Sequence, residues 1–286
     1  MAAEPPPLLR YLLGLEGLAL LRDWLREGTG ADRRLKEIRA LLDDRCIAGE
    51  PAPQELGVEE GYAVWASSYD EADNPLIAVE EPIALSMLAG LPAGRALDAA
   101  CGTGRYAGRL EELGHAVTGV DASPEMLSLA RRRSPRADLR AGRLEALPLE
   151  DDGFDVAVCA LAITHLPALG PPVSELARVL RPGGRLVITG MHPMLSALGG
   201  DALFSRPDGQ PLFVRESIHL HGAWLDAFAA AGLHLRACAE PAWRADTVAM
   251  IGKAAGRIPE ALEQALVGLP CVLVWELEAG PGVSPA

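Results

Sequence analysis

Ala96-Leu97-Asp98-Ala99-Ala100-Cys101-Gly102-Thr103-Gly104 begins as an apolar strand, passes an acid and turns through two glycines into a helical pattern that runs to Leu113. A strand that feeds a helix through such a turn leaves backbone amides and the positive helix end facing whatever lies beyond the strand. Read alone, Gly102-x-Gly104-x-x-Ala107 also fits a dinucleotide-binding turn, or a plain strand-turn-helix with no ligand.

The next signal outward is Val120-Asp121-Ala122-Ser123, an acid at the end of the following strand and about 20 residues past the glycines. That is where a carboxylate can hold both hydroxyls of a ribose. Ser123-Pro124-Glu125 also reads as a helix start, and the two roles are compatible. Strands are expected over residues 95–99, 116–120, 137–140, 154–160 and 184–189, with two more over 233–239 and 271–278. Helices are expected over 104–113, 124–133, 172–179 and 224–231. This alternation predicts a doubly wound, mostly parallel α/β sheet. Before it, leucines recur at three- and four-residue steps from Leu8 to Leu42, broken at Gly28-Thr29-Gly30. The stretch Gly49 to Gly57, with Pro51 and Pro53, reads as a linker. The chain therefore divides into a helical extension, residues 1–56, and a catalytic domain, residues 57–286. Within the latter, residues 191–222 form an insertion expected to bind the acceptor. The leucine stripe of the extension must be buried, either as a lid over the site or in a homodimer contact.

Of the 286 residues 49% are hydrophobic, enough for a substantial core, and 26 basic against 39 acidic side chains leave a net charge of −13. That charge opposes nucleic acid and anionic membrane as partners. The apolar stretch Leu8–Leu21 contains Arg10 and Glu16 and is too short to span a bilayer. The N-terminus has no basic start, so no secretory signal is expected. Five cysteines without a CxxC pair suggest reduced thiols in a cytoplasm. Nearly all the basic charge is arginine, a bias associated with GC-rich bacterial genomes.

Three further segments separate the readings left open by the glycine turn. They are Gly142-Arg143-Leu144-Glu145-Ala146-Leu147-Pro148, Phe154–Leu161 leading to Thr164-His165-Leu166, and Leu176–Leu186 with its Arg181-Pro182-Gly183-Gly184 turn. With them, the chain from about Tyr62 to Leu277 resembles the class I S-adenosylmethionine (SAM)-dependent methyltransferases of the small-molecule type, such as quinone, menaquinone and bacterial natural-product enzymes. The resemblance implies a seven-stranded Rossmann-like sheet whose last strand is antiparallel. It implies SAM as cofactor and S-adenosylhomocysteine as product. By the same resemblance Asp98, Ala100, Gly102 and Gly104 line the methionine part of SAM, and Asp121 takes the ribose. Ala122 and Met126 flank the adenine, Leu144 and Glu145 sit at its edge, Ala160 offers a carbonyl to the amino group, and Tyr69 closes over the cofactor. The family usually has Asp where this chain has Arg143, so the adenine contact there departs from the pattern.

The implied reaction moves a methyl group from SAM to a small-molecule acceptor, in bacterial secondary metabolism. A SAM-binding partner without catalysis, or an NAD-dependent oxidoreductase, are the alternatives. The Asn-Pro-Pro-Tyr motif of base-modifying enzymes is replaced by Cys159-Ala160-Leu161-Ala162. Cys101 and Cys159 read as small buried fillers. Candidate general bases are His165, after the fourth strand, His192, after the fifth, and His219 and His221, because histidine titrates near neutrality. His219 and His221 could share one side of a strand, but no third ligand accompanies them at diagnostic spacing, and no metal is expected.

Overall fold

The computed structural model describes residues 6–25, 30–70 and 74–281. The glycine break expected at 28–29 lies outside the described residues. In chain order the elements begin with helices α1 (Pro7–Asp23), α2 (Ala31–Asp43) and α3 (Arg45–Ala48), strand β1 (Gln54–Leu56), and helices α4 (Val58–Trp65) and α5 (Pro75–Leu88). Then follow β2 (Arg95–Ala99), α6 (Arg105–Glu112), β3 (Ala116–Asp121), α7 (Pro124–Arg133), β4 (Asp138–Ala141), β5 (Phe154–Ala160) and α8 (Gly170–Val179). The chain continues with β6 (Leu180–Met191), α9 (Pro193–Ala197), β7 (Ala202–Ser205), β8 (Pro211–Val214), α10 (His221–Ala230) and β9 (Leu233–Ala239). It ends with α11 (Ala245–Val248), α12 (Gly252–Arg257), α13 (Pro259–Leu266) and β10 (Val272–Ala279).

The main sheet has seven strands in the order β4-β3-β2-β5-β6-β10-β9. Neighbours from β4 to β6 are parallel, and β10 runs antiparallel to both β6 and β9. This is the expected doubly wound sheet with its last strand reversed. Side chains alternate between two cores, as period-2 geometry demands. Ala96, Val156, Val158 and Val187 join one cluster, while Leu97, Ala157, Cys159 and Ile188 join the other. Burial on both faces explains why Phe154–Ala160 reads as one apolar run. The strand order reverses between β2 and β5, which places the ligand crevice beyond their carboxyl ends.

The structure adds to or departs from the expected organisation in three places. First, part of the leucine stripe of the extension packs within the chain, while Leu21, Leu25, Leu35 and Leu42 stay exposed. Leu12, Leu15 and Ala19 of α1 share a core cluster with Ala261, Leu262 and Ala265 of α13, and Arg22 Nη1 donates to the Ala265 carbonyl at 2.7 Å. Secondly, the 49–57 linker contains β1, which pairs in parallel with β8. With the β7–β8 hairpin it makes a separate three-stranded sheet, so the boundary at residue 57 cuts through a structural unit. A three-residue strand flanked by prolines carries no periodicity to detect. Thirdly, the chain between β9 and β10 holds α11, α12 and α13, an excursion at the carboxyl end of the sheet that the sequence reading left unassigned.

Candidate active site

The glycine turn lies at the carboxyl end of β2. Gly102 and Gly104 have positive φ, and so do two residues with side chains, Ala100 (φ 56°) at the end of β2 and Leu161 (φ 51°) at the end of β5. Backbone held in this region for a non-glycine residue costs of order 1–3 kcal/mol and clusters at ligand sites. At Gly104 an added Cβ would meet Ala130 Cα at 3.1 Å, so α6 and α7 approach closely there. Two acids face the turn. Asp98 is 2% exposed and its Oδ2 accepts the Ala107 amide at 2.7 Å. Burial pushes its carboxyl up to about 7. Asp121 accepts the Gly102 amide on Oδ2 and the Ser123 amide on Oδ1, each at 2.8 Å. Burial raises it as well, opposed by those amide bonds. The Ser123 hydroxyl caps α7 by accepting the Met126 amide at 3.2 Å, so the cap and the acid coexist as expected.

A buried network that sequence reasoning missed supports this rim. Glu80 of α5 is fully buried and accepts Arg105 Nη1 at 3.0 Å, the Tyr106 hydroxyl at 2.6 Å and the Thr189 hydroxyl at 2.9 Å. Thr189 in turn receives the Leu161 amide on its hydroxyl at 3.1 Å. One carboxylate thereby ties the residue after Gly104 to the strained end of β5. A helical glutamate in an apolar stretch gave no sequence signal beyond its position.

Helix α4 and the segment after it close one side. Thr103 donates to Asp70 at 3.0 Å, and Arg133 bonds both. Tyr62, Trp65 and Tyr69 form an aromatic group, with ring centroids 5.7 Å apart for Tyr62–Trp65, 6.1 Å for Tyr62–Tyr69 and 5.0 Å for Trp65–Tyr69. Trp65 stacks on Phe204 of β7 at 4.6 Å. Burial raises the phenols of Tyr62 and Tyr69. Arg143, the departure from the family pattern, forms an ion pair with Glu59 of α4, and its other amino group lies 3.6 Å from Glu145. Leu144 is buried beside them and Met126 lies inside the core edge of α7, whereas Ala122 is exposed. Ala160 ends β5, half-buried, next to Leu161.

The four candidate histidines do not converge. His165 sits on a 3-10 turn after β5. Its Nε2 lies 2.7 Å from the Tyr62 hydroxyl, and its Nδ1 faces the Arg215 carbonyl at 3.1 Å and Glu216 Oε1 at 3.4 Å. Both Nδ1 neighbours are acceptors, so Nδ1 carries the proton and Tyr62 donates to Nε2. The Ser217 amide donates to the Thr164 carbonyl at 2.7 Å, which docks Glu216 beside the histidine. Neither Tyr62 nor Glu216 stands in a motif, and only the fold brings them together. His219 donates from Nε2 to the Leu166 carbonyl at 2.8 Å, which leaves it a structural cap against Trp224.

The shared strand expected for His219 and His221 is not formed. His219 lies in the loop after β8, and His221 opens α10 because Leu220 is its N-cap. His221 instead meets His192 across Glu240, whose Oε1 lies 2.8 Å from His221 Nε2 and 3.0 Å from His192 Nε2. Hydrogen bonding to His192 holds Glu240 below the usual carboxylate range. Their ligand atoms lie within 4.8 Å of one another, close enough for a metal. However, His192 Nδ1 accepts the Met194 amide at 3.1 Å, which places its proton on Nε2, the atom a metal would need bare. Metal-bound histidines donate their second N–H, so this tautomer suits a hydrogen-bonded pair. Cys159 is pushed up to about 12 by burial, and Cys101 is raised by burial too, so neither thiol is a ready nucleophile.

Residues 97–188 match the protein-family model described as a methyltransferase domain. Over 132 residues the chain is 34% identical to malonyl-[acyl-carrier protein] O-methyltransferase of Serratia marcescens, a match covering 46% of this chain and 51% of that protein. Over 100 residues it is 37% identical to demethylmenaquinone methyltransferase of Chlorobaculum parvum, covering 35% of this chain and 41% of that one. The chain thus spans about half the length, or less, of these curated relatives. In three dimensions it superposes on a SAM-dependent methyltransferase from Mesorhizobium loti with a TM-score of 0.51 and 22% identity, over 68% of this chain and 95% of that one. Sheet order and family match agree: residues 97–188 are similar to a methyltransferase domain, and the fold is that of SAM-dependent methyltransferases.

Proposed function

We propose that this chain is a class I methyltransferase that transfers the methyl group of SAM to a small-molecule acceptor. The observation that carries the reading is the pair of buried acids around the glycine turn, Asp98 and Asp121, whose hydrogen bonds run to backbone amides and which burial raises. SAM brings a sulfonium and an ammonium to such a cleft, while its carboxylate can take free amides of the turn. An NAD pyrophosphate would bring negative charge to the same acids, which disfavours the oxidoreductase reading. The residues fit SAM: Asp121 presents carboxylate oxygens to the ribose, Asp98 and the Gly102–Gly104 backbone flank the methionine part, and Tyr69 closes over it.

When bound, SAM supplies an activated methyl group, so the chain's residues act by alignment and exclusion of water. Names of relatives support small-molecule chemistry, and a role in bacterial secondary metabolism is part of the proposal. The net charge of −13 disfavours nucleic acid. Among the described residues no helix is long and apolar enough to cross a membrane, and the five cysteines are free, which favours a cytoplasmic setting. Exposed Leu21, Trp24, Leu25 and Leu42 on the extension offer an apolar surface to a homodimer.

Calorimetry with SAM tests the cofactor assignment. Asp121→Ala should weaken binding by roughly 1.5–3 kcal/mol, the worth of a hydrogen bond to a charged group, in a protein that keeps its far-UV spectrum. Unchanged SAM affinity in the folded variant, or tighter binding of NAD than of SAM by the parent, refutes the reading.

A further inference from the structure

Tyr62, like Glu80, joins the two halves of the site. Its ring packs against Tyr69, whose neighbour Asp70 is bonded to Thr103 in the glycine turn, and its hydroxyl donates to His165 after β5. Behind His165, the Glu216 side chain is 5% exposed and faces Nδ1. Hydroxyl, imidazole and carboxylate thus stand in line, each oriented by the next, the arrangement by which a hydroxyl is made a proton acceptor or nucleophile. Tyr62 is too hindered by its ring to serve as the nucleophile towards a methyl group that must reach another molecule. What remains is proton transfer.

We propose that Tyr62 takes the proton from the acceptor, with His165 and Glu216 as positioning residues, and that the acceptor is an aromatic hydroxyl. This rests on the methyl-transfer reading above. As the acceptor oxygen attacks, its proton passes to the Tyr62 oxygen and the Tyr62 proton passes to His165 Nε2. The acceptor's electron pair forms the O–CH3 bond, the S–CH3 pair stays on sulfur, and His165 becomes an imidazolium opposite the Glu216 carboxylate. The proton leaves to solvent when product departs. A carboxylate acceptor would need no such device, whereas a phenol is protonated near neutrality. The aromatic cluster beside Tyr62, in which Trp65 stacks on Phe204 and meets Tyr69 edge-on, favours a planar ring as its neighbour. The charged and titratable groups that bear on the trio are Tyr69 and Asp121 on the cofactor side, and Asp201 near Glu216.

The test compares 1-naphthol with 4-nitrophenol at about pH 8, where the first is protonated and the second already ionised. In Tyr62→Phe, turnover of 1-naphthol should fall about a hundredfold, within the usual range for general base catalysis, and that of 4-nitrophenol less than about threefold. Glu216→Gln should follow the same pattern more weakly. Should Tyr62→Phe not fold, His165→Asn carries the same comparison. SAM affinity by calorimetry should be unchanged in all variants. Independently of turnover, imidazole nitrogen resonances of the parent should show His165 protonated on Nδ1 and bare on Nε2, with the Nε2 signal shifted in Tyr62→Phe. A loss equal for both phenols, no loss for either, a protonated Nε2, or no methylation of any phenol by SAM-saturated parent overturns the proposal. Failure of the parent to bind SAM would instead remove the reading beneath it.

Discussion

Replacing Asp98 by Asn should make the ligand-free protein more stable and a worse SAM binder. Asp98 is enclosed at the end of β2, and its Oδ2 accepts the Ala107 amide at 2.7 Å. That bond and the Arg105 charge lower its pKa, but burial outweighs them and raises it from 3.8 to about 7. The folded state therefore holds a proton that the unfolded chain releases. Its contribution to stability is complete below about pH 4, is lost as pH climbs to about 7, and changes little beyond. A rise of about three units corresponds to roughly 4 kcal/mol between the two ends of that window. Asn keeps a carbonyl oxygen for the Ala107 amide and has no charge to bury, so Asp98→Asn escapes the loss. Relaxation and water entry reduce the effect, and about 2–3 kcal/mol at pH 8 is the expected gain.

Urea unfolding of parent and variant across pH 4 to 8 measures this directly, provided the slopes agree. The gap should be small near pH 4, widen to pH 7 and then level. SAM binding should weaken about tenfold or more in the variant, because the carboxylate is retained at the expense of stability for the ligand's positive charge. A variant less stable than the parent at pH 8, or a gap that does not change with pH, would show that Asp98 is stabilised as an anion and would refute the reasoning.

Two further outcomes follow from the packing around the site. Glu80→Ala strands Arg105 and frees the hydroxyls of Tyr106 and Thr189, so chemical denaturation should register a loss of about 3 kcal/mol, the low end for a broken buried pair since Arg105 is partly exposed. Gly61→Ala would drive a Cβ into Val214 Cγ2, lifting α4 from β8 at a cost of about 1–3 kcal/mol. Because Tyr62 follows Gly61, the Tyr62 fluorescence or hydroxyl resonance should shift in that variant, while a silent, fully stable Gly61→Ala would mean that α4 is loosely held.

Local chemistry made the sheet legible. The strands β2, β3, β5 and β6 are largely apolar and end near turn or cap signals, as with Ser123 before α7. The candidate rim was legible for the same reason, because Asp98, the glycines and Asp121 are adjacent to those turns. What failed was everything that depends on distant pairing. β1 is three residues long and acquires its meaning from β8, more than 150 residues later. The leucines of α1 looked like a free surface because their partner, α13, lies near the other end of the chain. Histidine type pointed to four candidate bases, yet only tertiary contacts distinguish His165, lined up between Tyr62 and Glu216, from His219, spent on a carbonyl.

The same distinction explains how the ambiguity of the glycine turn is resolved. Gly102-x-Gly104-x-x-Ala107 can cradle a phosphate or a carboxylate, and nothing within the motif chooses. The choice lies in the charges folded around it. Asp98, Asp121 and Glu80 bring three carboxyls to the rim, while Arg105 is bonded to Glu80 and Arg133 to Asp70. Of these carboxyls Glu80 is compensated, while Asp98 and Asp121 meet chiefly backbone amides. A pyrophosphate placed on the turn would add negative charge to a pocket already raising its own acids. A ligand with a sulfonium and an ammonium relieves the pocket, and the relief grows as Asp98 ionises. SAM affinity should therefore rise with pH through about 7 in the parent and lose that rise in Asp98→Asn, whereas a dinucleotide would show the opposite slope.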